Sequence, residues 1–472
     1  MDVLMTFAEA AGAAGFTMRS FSGGAAEGAG FSSVSIDSRK VSSGGLFVAL
    51  QGTATDGHRY VEQALKAGAS GVLVSRYALD DPSFRLETLA KNAGAVLLVA
   101  DDSLRGLQDL ARCYLEKFPA LITVGVTGSS GKTTTKEIAA AIIREEKSVV
   151  MNPGNLNSET GLPLSIFNIR PNHEIGIFEM GMNRRGEIAE LAGILKPRIA
   201  LITNIGSAHI GILGSKRAIA EEKKNIFSQF SGGETALIPL NEEYREFLAE
   251  GIRGRAVNYG AELFPEWGGA KDLGLDGSEI IWEGKAVRFA LPGKHNLENA
   301  AAAIAIAREI GISAGAMVRG LSSVKALFGR SEVIPGDVTV IQDCYNANPE
   351  STAQALDFCD GLDWKGRRVY VIGSMLELGA VSAEAHGGIG RRLASSEADM
   401  VYLYGEETKP AVEALEQSPE TDEIPFFYTD NILELSRALS GFVKPGDLVL
   451  LKGSRGCALE ELGGLLTAGG GL

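Results

Sequence analysis

"VGVTGSSGKTTTKEIAAAI", residues 124–142, sets a turn rich in glycine and serine between a short apolar run and a helix-forming segment. The main-chain N–H groups of such a turn, together with the N-terminus of the following helix, form a cradle for an anion. Lys132 would reach the outer phosphates of a nucleotide, and the Thr133 hydroxyl would contact Mg²⁺. A glycine-rich turn that binds nothing is the alternative. The stretch therefore predicts a nucleotide phosphate site at Gly128, Ser129, Ser130, Gly131, Lys132, Thr133 and Thr134.

The spacing of this loop narrows the class of protein. The general phosphate-loop pattern has a further glycine where this chain has Val126, so the motif here is G-x-x-G-K-T. The NKxD motif with which GTPases read guanine is also missing from the sequence. We therefore expect a nucleotide-dependent enzyme outside the common GTPases.

Apolar runs alternate with helix-forming segments along the chain, which is typical of sheets covered by helices on both faces. Runs such as 121–126, 175–178 and 199–203 are expected for buried parallel strands. A second alternation follows residue 329 and predicts a doubly wound sheet. We predict an α/β protein of three domains: a small N-terminal α/β substrate module (1–100), a central P-loop-type ATPase domain with a parallel sheet (101–328), and a C-terminal doubly wound, Rossmann-like domain (329–472).

The composition excludes two classes of protein. The 472 residues carry a net charge of −14, whereas a general nucleic-acid binder needs clustered lysine and arginine. No apolar run reaches the roughly 18 residues that span a bilayer, and the N-terminal stretch is typical of a helix rather than a signal peptide. The four scattered cysteines fit a reducing compartment. We expect a cytoplasmic protein that does not bind nucleic acid and has no membrane-spanning segment.

Two further positions are candidates for metal binding. Glu179 ends one apolar strand and His209 follows another, and ligands bind at the carboxyl ends of strands in such sheets. A carboxylate beside a phosphate loop suits Mg²⁺, which prefers oxygen ligands, although a lone histidine in a loop is more often structural.

Residues 217–230 predict an amphipathic helix, in which composition alone would leave Lys223 and Lys224 solvated.

Several motifs, in order along the chain, resemble those of the Mur ligases, the ATP-dependent amide ligases of peptidoglycan synthesis, which are related to folylpolyglutamate synthase. The G-x-x-G-K-T loop is followed by NPGNLNSETGLPLSIF, EMGMNRRGEI, AHI…EKKNIF and LPGKHNLENAAAAIAIA. Three more segments narrow the resemblance to the ligases that attach D-alanyl-D-alanine: DCYNANPEST (343–352), GSMLELGAVSAEAH (373–386) and LLKGSRGCALEEL (450–462). The N-terminal SIDSRKVSSGGLFVALQGTATDGHRY is similar to their UDP-substrate module.

The resemblance implies an ADP-forming ligase that uses ATP to join D-alanyl-D-alanine to a UDP-N-acetylmuramoyl-tripeptide through an acyl phosphate, acting as a monomer with two Mg²⁺ ions. In these ligases CO₂ converts the lysine of the EKxxIF motif into a carbamate. That lysine is Lys223 here, with Lys224 as the adjacent alternative. By resemblance, the catalytic residues would be Lys132, Lys223 and His209, and the metal ligands Thr133, Glu179, His209 and Lys223.

Further site residues are implied by the position of the matching motifs. At the nucleotide they are Asn296, Asn299, Arg330 and Asp343, although the KHNLEN segment would also suit a helix cap. At the uridine diphosphate end they are Ser38 and Arg39, and at the tripeptide Asn155, Asn157 and Glu159. Near the acceptor dipeptide or the γ-phosphate, where a surface turn is the alternative, they are Asn346, Asn348, Lys452, Ser454 and Arg455.

The chain departs from the usual family motifs at three positions. Gln342 and Ser374 stand where an aspartate is usual, and Ser158 stands where an asparagine is usual. The change at Ser374 removes a carboxylate from a loop of the C-terminal domain. Three other functions stay open at this stage: a Mur or folylpolyglutamate-type ligase with a different acceptor, a phosphotransferase that shares the central domain, and a nucleotide-binding scaffold without catalysis.

Overall fold

Three sheets built mainly from parallel strands follow one another along the chain, each with helices packed against it. The computed structural model describes residues 3–21, 28–418 and 424–467. Its parallel sheets confirm the predicted α/β class. The domain boundaries near residues 100 and 328 stay predictions, and both fall between sheets. Among the described helices, none has the length and apolar character needed to span a bilayer.

The N-terminal region forms a small α/β unit. Its elements are β1 (Met5–Thr6), α1 (Phe7–Ala14), β2 (Thr17–Arg19), β3 (Gly30–Phe31), β4 (Val34–Ser35), β5 (Leu46–Val48), α2 (Val61–Lys66), β6 (Gly71–Ser75), α3 (Arg76–Asp80), α4 (Leu86–Ala93), β7 (Val96–Ala100) and α5 (Ser103–Leu115). The sheet order is β2-β7-β6-β5-β4, with β2 antiparallel to β7. Every residue of β6 and β7 is buried, because helices cover both faces.

The central region contains a six-stranded sheet, in the order β13-β12-β11-β8-β10-β9, whose neighbouring strands are all parallel. Its elements are β8 (Ile122–Thr127), α6 (Lys132–Ile143), β9 (Val149–Met151), α7 (Gly161–Ile166), β10 (Ile175–Glu179), α8 (Glu187–Leu195), β11 (Ile199–Ile202), α9 (Ile210–Leu213), α10 (Lys216–Lys224), β12 (Thr235–Pro239), α11 (Arg245–Ala249) and β13 (Arg255–Tyr259). The strand order reverses at β8, and the crevice at such a switch point is where ligands bind.

The helix predicted over residues 217–230 is shorter than expected. Helix α10 ends at Lys224, and a 3₁₀ turn continues to Phe227. Ile226, Phe227 and Phe230 are buried as predicted. The expectation of a solvated Lys223 is wrong, because this side chain turns into the protein and is 1% exposed.

Sequence analysis missed a three-stranded antiparallel sheet formed by β14 (Trp267–Asp272), β15 (Ser278–Trp282) and β16 (Lys285–Phe289). Glu283 and Gly284 join the last two strands with φ of 48° and 75°, the positive values that a tight type I′ hairpin requires. The Glu-Gly pair between two alternating runs was the signal. Helices α12 (Lys294–Ile310) and α13 (Ala314–Ser323) follow, and both pack against α6.

The C-terminal region is the predicted doubly wound sheet, with the order β17-β18-β22-β19-β20-β21. Its elements are β17 (Glu332–Ile334), β18 (Thr339–Asp343), α14 (Pro349–Asp360), β19 (Arg368–Gly373), α15 (Ser382–Ala394), β20 (Met400–Tyr404), α16 (Lys409–Glu416), β21 (Phe426–Thr429), α17 (Ile432–Phe442), β22 (Leu448–Lys452) and α18 (Glu460–Thr467). Strand β17 is antiparallel to β18, and the other neighbours are parallel. The carboxyl ends of β18 and β22 contribute to the cleft described next.

Candidate active site

The loop between β8 and α6 has a backbone that excludes larger residues at two positions. Gly131 has φ of 76°, a left-handed conformation that costs other L-residues about 1–2 kcal/mol. A Cβ at Gly131 would also collide with Oδ1 of Asn299, and one at Gly128 would collide with the hydroxyl of Thr203. This path brings the N-terminus of α6 to the wall of a cleft of about 790 Å³.

Asn204, which sequence analysis missed, anchors this loop. Its main-chain oxygen accepts from the N–H of Ser129 and its Oδ1 accepts from the N–H of Ser130, both at 3.0 Å. The predicted cradle is therefore smaller than the whole loop, because these two N–H groups already have acceptors. The first N–H groups of α6 have no intrahelical acceptor, and they are the donors available to a phosphate.

Two lysines converge on one main-chain oxygen of the phosphate loop. Lys132 Nζ and Lys223 Nζ each donate to the oxygen of Gly128 at 2.8 Å. Burial, together with the nearby charge of Lys132, holds the pKa of Lys223 well below its usual range. The structure therefore brings these two predicted residues together, and it favours a neutral amine on Lys223.

Lys224, the sequence alternative, points away from this place. Its ammonium donates to the main-chain oxygen of Phe247 at 2.6 Å and lies 4.3 Å from the centre of that residue's ring. Arg217 stacks on the same ring at 3.5 Å. Successive residues of a helix face directions about 100° apart, so anchoring Lys224 outward is what allows Lys223 to point inward.

Glu179, at the end of β10, is almost fully buried and is held from two sides. The Thr133 hydroxyl donates to its Oε2 at 2.5 Å, and Asn157 Nδ2 donates to its Oε1 at 2.7 Å. A hydroxyl beside a carboxylate is an oxygen donor set that fits Mg²⁺. Among the described residues, no three His, Cys, Asp or Glu side chains come together as a metal site, so a bound ion would take its remaining oxygens from nucleotide and water.

His209 lines the same cleft but faces the C-terminal domain. Its φ of 64° is left-handed, and its Nδ1 lies 2.8 Å from Oε2 of Glu377. Glu377 belongs to the GSMLELG segment of the C-terminal domain, so this contact joins that segment to the central domain, which carries the phosphate loop. Sequence analysis named His209 as a metal ligand, a role that stays a prediction, and it gave no function to Glu377.

The predicted nucleotide asparagines are buried at the start of α12. Asn296 Nδ2 donates to the oxygen of Pro292 at 2.7 Å, and Asn299 Nδ2 donates to Asn296 Oδ1 at 3.2 Å. Asn299 Oδ1 also accepts from the hydroxyl of Thr135 at 3.3 Å. Both asparagines line the cleft, and their bonds connect the first turn of α12 to the phosphate-loop helix.

The C-terminal domain supplies a charged wall. Lys452, at the end of β22, donates to Oδ2 of Asp343 at 2.7 Å and is 2% exposed. Asp343 Oδ1 accepts from the N–H of Ser331 at 3.1 Å. Arg330 stacks on Tyr345, 4.0 Å from the ring centre. All five line the cleft, so the predicted Arg330, Asp343 and Lys452 lie together.

The remaining predicted residues fall into two groups. Asn155, Asn157, Asn346, Asn348 and Arg455 line the cleft. The other predicted residues are not part of the described lining and have other partners. Glu159 pairs with Arg184, and Ser454 accepts from the N–H of Leu376. In the N-terminal domain, Ser38 donates to Gln63 and Arg39 pairs with Asp37.

Two of the lining residues also have structural bonds. Asn348 caps α14 by accepting from the N–H of Ser351 at 2.8 Å. Arg455 pairs with Glu460 at 2.6 Å. The unusual Ser374 donates to Oε2 of Glu407 at 2.6 Å, so a carboxylate from the next loop lies beside the position where the family's usual aspartate is missing.

Comparisons with known proteins agree with this architecture. Family models match residues 31–112 as Mur ligase family, catalytic domain, 126–307 as Mur ligase middle domain, and 329–455 as Mur ligase, glutamate ligase domain. The UDP-N-acetylmuramoyl-tripeptide–D-alanyl-D-alanine ligase of Treponema pallidum is 46% identical over 441 residues, covering 93% of this chain and 94% of the relative.

Two solved structures are similar over most of the chain. A crystal structure of MurF from Acinetobacter baumannii has a TM-score of 0.85 and 28% identity, covering 98% of both chains. MurF ligase from Thermotoga maritima in complex with ADP has a TM-score of 0.75 and 30% identity, covering 91% of this chain and 96% of that one. With matching models in all three regions and a relative 46% identical over almost its whole length, the chain belongs to the Mur ligase family.

Proposed function

We propose that this protein uses ATP to join D-alanyl-D-alanine to a UDP-N-acetylmuramoyl-tripeptide in the cytoplasmic synthesis of peptidoglycan precursors. The observation that carries the proposal is one cleft that combines the phosphate loop, the Thr133–Glu179 pair and the charged wall of Arg330, Asp343 and Lys452. The Treponema pallidum relative carries the name of this ligase and matches over 93% of the chain.

The cleft supplies positive charge where two negatively charged reactants have to meet. The tripeptide carboxylate has to approach the γ-phosphorus of ATP, and two anions repel each other unless cations lie between them. The N–H groups of α6, with Lys132 and Arg330, would hold the phosphates and offset their charge. Bound Mg²⁺, held by Thr133 and Glu179, would supply further positive charge at the phosphate oxygens.

The second step needs a site that excludes water. Attack of the carboxylate on ATP releases ADP and gives an acyl phosphate, whose carbonyl the amine of D-alanyl-D-alanine attacks. The amide bond forms, phosphate leaves and the amine loses a proton. Acyl phosphates hydrolyse in water, so closure has to precede reaction. Glu350 and Glu377 of the C-terminal domain already contact Ser207, Lys216 and His209 of the central domain.

We further propose that the Lys223 amine adds to CO₂, giving a carbamate and releasing one proton. An amine reacts only when neutral, and the burial that depresses the pKa of Lys223 favours that form. The carbamate would bring a carboxylate-like group beside Lys132, where Mg²⁺ prefers oxygen ligands. Together with His209, it would serve a second metal ion.

A coupled phosphate-release assay tests the proposed function. Release should require ATP, Mg²⁺, the UDP-linked tripeptide and D-alanyl-D-alanine together, and omission of any one should reduce it to background. Glutamate offered with a folate substrate is the control for the related activity. Equal release without the dipeptide, or with the folate pair, would contradict the proposed acceptor.

A further inference from the structure

Lys136 is a buried charge that the proposed reaction does not use. It lies one turn after Thr133 on α6, and its side chain has no solvent exposure. Its ammonium donates to the main-chain oxygen of Asn152 at 2.7 Å and lies 3.4 Å from Oε1 of Glu137. A buried ammonium is costly unless it is paired and hydrogen-bonded, and an apolar side chain would fill the same space without that cost. A charged residue at position 136 therefore indicates that the ammonium of Lys136 has a specific role.

The partner of Lys136 leads directly to Glu179. Strand β9 pairs with β10 as far as Met151, and the side chain of Asn152 then continues the pairing. Its Oδ1 accepts from the N–H of Glu179 at 2.9 Å, and its Nδ2 donates to the oxygen of Glu179 at 3.0 Å. Pro153, which follows, lacks the N–H that a main-chain ladder would need. The Asn152 amide thus replaces a strand neighbour at the last residue of β10.

The same anchor fixes the loop that approaches the carboxylate. Asn152 Nδ2 also donates to the oxygen of Leu156 at 2.9 Å, which closes a turn that contains Asn155 and directly precedes Asn157. Asn157 in turn bonds Glu179 Oε1, and its main-chain oxygen accepts from the N–H of Gly181 at 2.9 Å. Glu179 is therefore clamped at its backbone by Asn152 and at its side chain by Asn157.

We infer that Lys136 is a positioning residue for the metal carboxylate: it holds Asn152, which holds the main chain of Glu179 at the angle needed to bind the nucleotide's Mg²⁺. This inference rests on the proposed function only for the presence of Mg²⁺ and nucleotide. The phosphate-loop residues 128–131 precede Thr133 in the chain, whereas Lys136 follows it and contacts Asn152, so binding of nucleotide without metal should not depend on Lys136. Groups that orient a metal ligand typically change metal affinity by about 10- to 100-fold.

Calorimetry with ADP, in EDTA and in saturating Mg²⁺, tests this on the whole chain. Lys136→Met removes the charge at similar length, and Asn152→Ala breaks the second link while leaving Lys136 in place. Both variants should bind ADP in EDTA within about threefold of wild type, while Mg²⁺ should tighten binding about tenfold less than in wild type. The double variant should lose no more than either single one, because the two residues act in series.

Lys147→Met is the matched control. Lys147 precedes the other end of β9, pairs with Glu174 at 3.1 Å, and should leave both affinities unchanged. The inference is overturned if Asn152→Ala keeps the full effect of Mg²⁺, whether or not Lys136→Met folds. It is also overturned if the variants weaken ADP equally with and without metal, which is the pattern of a general structural defect. Ligase turnover does not enter the readout, so a wrong acceptor assignment would leave this result intact.

Discussion

Lys223 donates a hydrogen bond to the main-chain oxygen of Gly128 at 2.8 Å, although 95 residues separate them. The contact ties helix α10 to the phosphate loop and explains why this lysine is 1% exposed. Lys132 shares the acceptor, so two ammonium groups would repel each other here, and the depressed pKa of Lys223 relieves that repulsion.

We predict that Lys223→Ala lowers kcat of ligation by about 10²–10³-fold, the usual effect of removing one charge-stabilising group. Short carboxylic acids should restore part of the activity by occupying the vacated space. Lys224→Ala is the control, because Lys224 contacts Phe247 outside the cleft, and it should retain activity within about threefold. Phosphate release measured for the two variants tests whether Lys223 is needed for ligation. A fully active Lys223→Ala enzyme would exclude a role for a carbamate on this residue.

Gly131→Ala should weaken ATP binding about tenfold or more. The left-handed φ of 76° would cost alanine about 1–2 kcal/mol, and its Cβ would displace Asn299. A tenfold change corresponds to about 1.4 kcal/mol. Gly193→Ala is the control, since a Cβ there meets nothing within 4 Å and alanine favours a helix interior. Calorimetric ATP affinities that are equal for both variants would argue against the assignment of the loop.

His386 should make the folded protein less stable as the pH falls below about 6.5. The ring is 1% exposed, and Nε2 accepts from the N–H of Met375 at 2.9 Å, which requires the neutral form. Burial lowers the pKa of His386, whereas the unfolded histidine gains its proton near pH 6.5. Between those two pKa values the unfolded state binds more protons, so the free energy of unfolding decreases there by at most about 1.4 kcal/mol per pH unit.

Thermal unfolding midpoints between pH 5 and 7.5 measure this effect. His386→Gln should be less stable than wild type at pH 7.5, but its midpoint should fall less on acidification. Comparison of the two proteins removes the contribution of other histidines. Parallel curves over this range would show that His386 does not titrate differently on folding.

The strands were predictable because burial on both faces requires uninterrupted apolar runs, and the predicted run 121–126 matches β8 (Ile122–Thr127) to within one residue at each end. Charged residues were less predictable. Lys136 and Lys223 differ from surface lysines only through Asn152 and Gly128, partners that the fold brings to them from elsewhere in the chain. The outward direction of Lys224 likewise depends on Phe247, which no local pattern connects to it.

Glu350 joins the C-terminal domain to the central one. Its carboxylate accepts from the hydroxyl of Ser207 at 2.8 Å and from the N–H of Ser207 at 3.1 Å, and it lies 2.8 Å from Lys216 Nζ. The ion pair with Lys216 is partly exposed and contributes little, while the bonds to Ser207 bring the stabilisation of the domain contact by Glu350 to about 1–2 kcal/mol in total.

Glu350→Ala should therefore shift the domains toward a more open arrangement. Small-angle X-ray scattering should give a larger radius of gyration than for Glu384→Ala, an exposed control on α15, and MgATP should reduce the difference by drawing both domains onto the cleft. An unchanged radius in Glu350→Ala would mean that other contacts hold the domains together.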